Sequence, residues 1–318
     1  MWAYITRRLI QAVATVLLIT IIIFFAIRFL PGDPVLVYIS GESLTSSSPE
    51  QIEAIRHEFG LDKPVVVQYI NWLGDILHGD LGKSIVLRSK VNDEIASALP
   101  KTLYMGSIAF VLSIILGIPL GIIAAVRRGG WADTLSTLIA NLGVTAPIFW
   151  VGIILVLIFG LFLHWLPIQG FVSPFDNFGK SILSIVLPVT CLTVYPMATV
   201  ARQMRSAMLE VIQQDYVRTA WAKGLNERVV IIKHATKNSL IPVITLIGIN
   251  IRQIFGGQVL IEKVFNIPGM GRLSVDALFS QDYAIVQGVI LVIAVVVVLT
   301  NLLVDLSYGW IDPRIRYD

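Results

Sequence analysis

The chain has 318 residues and a formal net charge of +3, and hydrophobic residues make up 56% of it against 14% for charged residues. Its mean hydropathy of +0.79 excludes an ordinary soluble domain, in which about 25% of the residues are charged. The composition predicts a membrane protein, and a net charge this small gives no indication of nucleic-acid binding.

The apolar residues cluster in six segments, each long enough to cross a bilayer, since a helix of about 20 residues spans its hydrocarbon core. The sequence therefore predicts an all-α, polytopic membrane protein with six transmembrane helices. The third segment contains Pro147, which predicts a kink or a strong tilt. The predicted segments are Leu9 to Leu30, Leu103 to Val126, Leu135 to Leu163, Ile182 to Ala201, Leu240 to Ile261 and Ile285 to Leu306.

The first segment shares one property with a secretory signal, because Arg7 and Arg8 precede it. Its apolar run is longer than a signal core, and the following Pro31-Gly32-Asp33-Pro34 offers no small-residue cleavage site. We expect residues 1–30 to remain attached as an N-terminal transmembrane helix.

Basic residues beside the segments predict their orientation. If the N-terminus is cytoplasmic, the two short outer loops hold only Lys180, Lys263 and Arg272, and most basic residues lie inside, as the positive-inside rule requires. Both termini are then cytoplasmic. The basic residues placed inside are Arg7, Arg8, Arg127, Arg128, Arg202, Arg205, Arg218, Lys223, Arg228, Lys233, Lys237, Arg314 and Arg316.

The long segment 31–102 is predicted to be an extracytoplasmic helical unit. Ser48, Pro49 and Gln51 form a capping-box start for one helix, which ends before Gly60. A second, amphipathic helix is expected to open at Pro64 and to end near Gly79. Two interpretations stay open: a cap resting on the outer membrane surface, or a docking platform for a substrate-delivery protein.

One stretch in this unit, Gly79-Asp80-Leu81-Gly82-Lys83-Ser84, ends with the same residues as the phosphate-binding loop motif. The motif requires four residues between its glycines, and Leu77 stands where the first glycine is needed. No buried strand precedes the stretch. We interpret it as a turn after an amphipathic helix and not as a nucleotide site.

Other functional classes lack their characteristic residues. Cys191 is the only cysteine and the four histidines are scattered, so no disulfide and no metal site are predicted. A membrane enzyme would need convergent nucleophiles, acids or metal ligands, and no spacing indicates them. An ion-coupled secondary transporter would explain six spans, but no acidic residue lies near the middle of a predicted segment and no internal repeat is apparent.

A polar loop, Asp215–Asn226, lies between the fourth and fifth segments. We expect Asp215 to cap a first short helix, Gly224 to take the left-handed position after it, and Leu225 to pack back onto Ala220. Asn226 is expected to cap a second short helix. Such a loop is a rigid protrusion, which suits a membrane protein that a soluble partner must push.

Several segments, in order along nearly the whole chain, resemble the first permease subunit of dipeptide and oligopeptide ATP-binding cassette importers. Two departures from the wider superfamily are Arg218-Thr219-Ala220 in place of Glu-Ala-Ala and His234-Ala235-Thr236-Lys237 in place of Ile-x-Leu-Pro, and both resemble the peptide subfamily. The segments are Leu30-Pro31-Gly32-Asp33-Pro34, Phe59-Gly60-Leu61-Asp62-Lys63-Pro64, Gln68-Tyr69, Gly79-Asp80-Leu81-Gly82, the polar loop, Val264-Phe265, Pro268-Gly269-Met270-Gly271-Arg272 and Asp312-Pro313-Arg314.

The resemblance implies a permease of the bacterial or archaeal cytoplasmic (inner) membrane that imports dipeptides or oligopeptides, or, in other members, nickel complexes or glutathione. Its expected partners are a second homologous permease, two cytoplasmic ATP-binding subunits, an extracytoplasmic substrate-binding protein and the lipid bilayer, without nucleic acid. This chain is then expected to be non-catalytic and to bind no cofactor, with ATP and Mg held by the ATPase subunits.

The resemblance also implies a permease core over residues 103–306, an ATPase-coupling loop over 202–239 within it, and a cytoplasmic tail over 307–318. The coupling residues that it implies are Asp215, Tyr216, Arg218, Thr219, Ala220, Lys223, Gly224 and Leu225.

Polar residues inside the fifth segment are candidates for a translocation pathway, because lone polar groups in hydrocarbon are costly. Asn250 and Gln253 share one helical face and Arg252 an adjacent one. The alternative is hydrogen bonding between helices, or Arg252 reaching toward the outer interface. Gly117 and Gly121 in the second segment are expected to permit close helix packing.

Overall fold

The computed structural model describes residues 2–29, 49–58 and 60–311, which form helices joined by loops and one isolated β-bridge, between Lys83 and Lys90. The prediction of an all-α fold is confirmed. The helices are α1 Trp2–Arg28, α2 Pro49–Glu58, α3 Val65–Leu77, α4 Val91–Val126, α5 Trp131–Thr145, α6 Ile148–Leu155 with the π-helical Val156–Phe162, α7 Phe178–Val211, α8 Asp215–Ala222, α9 Glu227–Val229 with the π-helical Val230–Thr236, α10 Lys237–Val264, α11 Met270–Phe279 and α12 Tyr283–Ile311.

Among the described residues, five helices are long and apolar enough to cross a membrane, or up to six if one bent pair counts as a single span. The bent pair is the predicted third segment, where α5 and the helix Ile148–Phe162 meet at 108°. Proline explains the break, because Pro147 disfavours helical geometry at Ala146, whose φ and ψ of −73° and 127° are extended. The kink expected at Pro147 is therefore a sharp break.

The two helices expected in segment 31–102 are confirmed by α2 and α3. Gly60 and Gly79 follow them with φ of +63° and +81°, a conformation that glycine adopts without strain. Pro64 is the residue before the first turn of α3. The expected cap Ser48, the segment Pro31–Pro34 and the last residues, 312–318, lie outside the described part of the chain.

One compact unit contains Met1–Lys101 and Gly269–Asp318. In it α1 packs against α12 and α3 packs against α1, where the ring of Phe24 lies 5.4 Å from that of Tyr69 and 5.5 Å from that of Trp72. Tyr69 Oη is also 3.0 Å from Thr20 Oγ1. Helix α12 therefore belongs to the same compact unit as α1, whereas the sequence analysis assigned it to the permease core, residues 103–306. A buried apolar cluster holds the unit together: Ile23, Ile27, Val91, Ile95, Met270, Ile285 and Val289.

The other compact unit is Thr102–Pro268. The 34-residue helix α7 packs against α5, α6 and α10. On α4, Gly117 and Gly121 allow α7 to approach closely, since a Cβ added at Gly121 would lie 2.5 Å from Ala201 O. Glycines four residues apart commonly permit such contact between membrane helices. The packing role expected for these two glycines is confirmed.

Candidate functional site

The polar loop begins with α8, which starts at Asp215, one residue earlier than expected. Asp215 was expected to cap this helix, but Gln214 has the extended φ and ψ of a capping residue, and its side chain makes no capping hydrogen bond. The expectation for Asp215 is therefore wrong. Asp215 lies in the first turn of α8 instead, where the helix dipole stabilises its negative charge. Its Oδ1 lies 3.7 Å from Nη1 of Arg218.

The end of α8 has the predicted geometry. Gly224 has a φ of +73°, and its N–H donates to Trp221 O at 2.9 Å while Leu225 N–H donates to Ala220 O at 3.4 Å. These two bonds form the Schellman motif. Asn226 Oδ1 then accepts from Arg228 N at 3.0 Å, so the predicted cap of the next helix is confirmed.

The second helix of the polar loop is not short. From Glu227 the chain runs through the π-helical segment Val230–Thr236 directly into α10 without a break. The helix continues through this segment because Val230 and Ala235 are fully buried. Their apolar contacts supply stability that an isolated helix in water lacks. The polar loop is thus joined to a candidate membrane span by continuous helix.

Helix α8 rests on a small apolar cluster formed by Val217, Ala220 and Val230. Three large side chains of this segment are nevertheless exposed: Tyr216, Trp221 and Leu225 leave 42%, 40% and 40% of their area open. The aromatic side chains among them are of the kind that is enriched at protein interfaces.

The predicted coupling residues lie together on this short segment, and most of them are exposed. Thr219 Oγ1 donates to Asp215 O at 2.8 Å, and Tyr216 Oη accepts from Asn238 Nδ2 at 2.7 Å, which ties α8 to the first turn of α10. Ala220 is buried beneath α8. The exposed Trp221 lies on the same short helix, although the predicted coupling residues do not include it. The exposed members are Asp215, Tyr216, Arg218, Thr219, Lys223, Gly224 and Leu225.

A buried ion pair joins α5 to α7. Asp133 is 6% exposed, and its two oxygens accept from Nε and Nη2 of Arg205 at 2.7 Å and 2.9 Å. Gly129 N–H adds a third bond to the carboxylate, at 3.0 Å. Sequence reasoning placed Arg205 among the inside basic residues and did not find its partner, which lies 72 positions away.

We expect Asp133→Ala to lower the free energy of unfolding by about 2 to 3 kcal/mol, because it leaves the Arg205 guanidinium partly buried without a counter-ion. This expected loss is smaller than that for a fully buried ion pair, since a third of the Arg205 side chain is exposed. Detergent titration of the purified protein measures the change. The exposed Asp176→Ala is the matched control, and Asp133→Ala together with Arg205→Ala should cost less than the two single changes added. Equal stability of Asp133→Ala and the control would contradict the importance of the pair.

The pathway candidates occupy different surroundings. Asn250 is 2% exposed, and its Nδ2 donates to Thr199 Oγ1 at 3.1 Å and to Pro196 O at 3.4 Å on α7. Gln253 is exposed. A helix turns by about 100° per residue, so the side chain of Gln253 points about 60° away from that of Asn250 around the axis of α10. This rotation separates the buried side chain from the exposed one. The Arg252 side chain lies outside the described residues.

A second buried polar cluster joins α4 and α10, and sequence reasoning missed it. Glu262, fully buried, accepts from Thr102 Oγ1 at 2.6 Å, and Gln258 Nε2 donates to Thr102 O at 3.0 Å. Gly106 makes room for it, since any side chain there would clash with the Gln258 amide. An acidic residue near the end of an apolar segment was the available signal.

The stretch Gly79–Ser84 forms a turn whose backbone N–H groups donate hydrogen bonds to acceptors within the protein. Leu81 N–H donates to Asn92 Oδ1 at 3.0 Å, Gly82 N–H to Asp80 Oδ1 at 2.8 Å and Ser84 N–H to Ser89 O at 2.9 Å. A phosphate-binding loop needs such amides free. Within the described residues no group of three or more His, Cys, Asp or Glu side chains could hold a metal ion.

Two family models match the chain. Residues 117–317 match the binding-protein-dependent transport system inner membrane component, and residues 1–106 match the N-terminal part of a binding-protein-dependent transport system membrane component.

Curated relatives are similar over the full length. A peptide transport system permease protein of Brucella abortus (strain 2308) is 41% identical over 318 residues, covering 100% of both chains. The dipeptide transport system permease protein DppB of Escherichia coli (strain K12) is 37% identical over 340 residues, covering 100% of this chain and 99% of that one.

The fold is similar to that of a solved structure. A chain of the MetNI methionine ABC transporter, in inward-facing conformations, superposes with a TM-score of 0.57 at 16% identity, covering 69% of this chain and 96% of that one. At this identity the likeness concerns the fold alone.

Proposed function

The chain belongs to the family of binding-protein-dependent transport system inner membrane components, and from this premise we propose that it is the permease subunit of an ATP-driven importer of dipeptides or oligopeptides. The observation that carries the proposal is the similarity, over 100% of the chain, to permeases named for peptide and dipeptide transport. Candidate membrane spans account for most of the described chain, as a multi-pass inner membrane protein requires.

In this proposal the chemistry of ATP belongs to other subunits. Two cytoplasmic ATPases hold ATP and Mg, a second permease completes the translocation pathway, and an extracytoplasmic binding protein delivers the peptide. The surface around Gly224 is the contact to the ATPases. Its exposed Tyr216, Trp221 and Leu225 supply apolar area, and Arg218 and Lys223 supply positive charge at its edge.

The structure of the polar loop supports a mechanical role. Helix α8 is held at its base by the cluster Val217, Ala220 and Val230, and the capped helix after Asn226 is continuous with α10. A displacement of α8 is therefore passed to a membrane span through packed side chains and backbone hydrogen bonds. Interfaces of this kind shift as rigid elements and do not deform gradually.

Transport by the reconstituted complex tests the proposed function. Proteoliposomes that hold this chain, its partner permease, the ATPases and the binding protein should accumulate a radiolabelled dipeptide only when ATP is supplied to the ATPase side. Parallel assays with glutathione and with a nickel complex identify the cargo. Uptake driven by an ion gradient without ATPases would overturn the proposal in favour of a secondary transporter.

We further propose that both termini and the polar loop are cytoplasmic. In a Cys191→Ser background, a cysteine at Lys63 should react with an impermeant thiol reagent in intact cells, and a cysteine at Gln213 should react only after the membrane is opened. Both positions are exposed, and Cys191 is buried, so the background change removes an inaccessible thiol. Reaction of both sites in sealed cells would contradict this orientation.

Gln253 is the pathway residue that we propose from α10, and Asn250 positions α10 against α7. In the same background, a cysteine at Gln253 should react with a small polar thiol reagent, and the rate should change when an ATP analogue switches the complex. A cysteine at Asn250 should react much more slowly, because the side chain is buried against Pro196 and Thr199. The reverse order of reactivity would remove Gln253 from the pathway.

A further inference from the structure

A polar cavity of about 300 Å³ lies in the unit Met1–Lys101 and Gly269–Asp318. It lies among α1, α3, the turn after α3 and the start of α12. Four buried side-chain N and O atoms that have no hydrogen-bond partner in the described residues belong to side chains that line this cavity. They are Arg28 Nε, Gln68 Oε1, Tyr283 Oη and Gln287 Nε2.

Such a concentration is unusual, because native proteins contain only a few unsatisfied buried polar groups per 100 residues. Tyr283 and Gln287 are 8% and 6% exposed, so bulk water does not satisfy them. One buried water needs only about 10–15 Å³, and the cavity has many times that volume. The space and the unsatisfied atoms together indicate a site for a polyatomic polar ligand.

The donors define one half of that ligand. Arg28 Nε, Tyr283 Oη and Gln287 Nε2 each present a donor, and the Arg28 guanidinium is held over the Phe24 ring at 5.2 Å. Lys83 also lines the cavity. A fixed guanidinium with neutral donors is the arrangement that binds a carboxylate or a phosphate.

The acceptors define the other half. Gln68 Nε2 already donates to Lys63 O at 2.7 Å, which orients the amide and leaves Oε1 as a free acceptor. The Asp75 carboxylate lines the same cavity. An amide oxygen and a carboxylate complement an ammonium group, since –NH₃⁺ offers three donors and no acceptor.

We infer that this cavity binds a small zwitterion, with its oxyanion toward Arg28, Tyr283 and Gln287 and its ammonium group toward Gln68 and Asp75. Two sources supply that chemistry: a free amino acid or short peptide, and the headgroup of phosphatidylethanolamine. The second source is relevant because Arg28 ends one candidate span and Tyr283 begins another, which places the cavity at headgroup depth. The inference does not depend on ATP coupling or on the proposed function.

The test uses the full chain in nanodiscs and four soluble probes: alanyl-alanine, acetate, inorganic phosphate and ethanolamine. The readouts are the thermal unfolding midpoint and the fluorescence of Trp72, which lines the cavity, with Trp72→Phe to assign the signal. In phosphatidylcholine nanodiscs, alanyl-alanine should raise the midpoint and change the fluorescence, acetate and phosphate should act more weakly, and ethanolamine least. If phosphatidylethanolamine in the nanodisc abolishes the response to alanyl-alanine, the lipid headgroup is the occupant.

Tyr283→Phe is the decisive variant, because it removes only a hydroxyl that has no partner in the unliganded protein. It should leave the unfolding midpoint without ligand unchanged and weaken zwitterion binding by roughly tenfold or more. Tyr69→Phe is the matched control, since Tyr69 contacts Thr20 outside the cavity, and it should bind as the parent does. Equal responses of Tyr283→Phe and the parent, or no response to any soluble probe or to phosphatidylethanolamine, would show that the cavity holds only water.

Discussion

Gly224→Val should reduce ATP-coupled transport at least about tenfold while the chain remains folded and inserted. Gly224 has a φ of +73°, and a non-glycine residue in that region costs about 1–3 kcal/mol, most for a β-branched one. A Cβ at this position would meet nothing within 4 Å. The cost is therefore backbone strain, which the loop relieves by rotating α8 away from the helix that begins after Asn226.

The measurement is peptide uptake and peptide-stimulated ATP hydrolysis in the same proteoliposomes, which should fall together. Gly224→Asn is the matched control, because asparagine tolerates the left-handed region far better than valine does, and it should retain much of the activity. The unfolding midpoint of the permease should fall by no more than a few degrees in Gly224→Val, and less in Gly224→Asn, so that loss of the fold does not explain the loss of transport. Normal coupled transport by Gly224→Val in an assembled complex would refute the mechanical role of the polar loop.

Gly121→Val should prevent correct packing of the permease itself. A Cβ at Gly121 would lie 2.5 Å from Ala201 O and 2.6 Å from Met204 Cβ on α7, and neither atom can move without shifting that helix. Overpacking of a close-packed interior costs about 1–3 kcal/mol and occasionally more. We expect a cost at the upper end of this range, because the first clash at Gly121 is with the backbone of α7. A Cβ added at Gly117, one turn earlier, would also lie only 2.9 Å from Met197 O.

The yield of monodisperse protein after extraction and its resistance to detergent unfolding measure this effect, and both should fall severely. Gly74→Val is the matched control: it lies within α3, in its C-terminal part, and a Cβ there meets nothing within 4 Å. Valine should be tolerated at Gly74. If Gly121→Val is extracted and unfolds like that control, the close approach of α4 and α7 does not occur in the membrane.

Local signals explain why much of the architecture was predictable. A span is recognised from the length of an apolar run, and Gly224 and Asn226 are recognised from contacts with residues at most five positions away. The same locality explains the error at Asp215, because Gln214 and Asp215 both stand where a cap is plausible and only the backbone angles of Gln214 distinguish them. The π-helical link after Val229 has no such signature, and the second helix was therefore expected to be short.

The sequence by itself determined the membrane class, the helical fold, a bend at Pro147 and the turn of the polar loop at Gly224 and Asn226, because each depends on composition or on neighbours within about one turn. Tertiary structure alone decided which polar groups meet: Asp133 with Arg205, and Thr102 with Glu262 across 160 positions. It also turned Asn250 toward α7 and left Gln253 exposed. Helical periodicity places residues on faces, but which face meets which neighbour depends on the rotation and packing of whole helices, which no local pattern specifies.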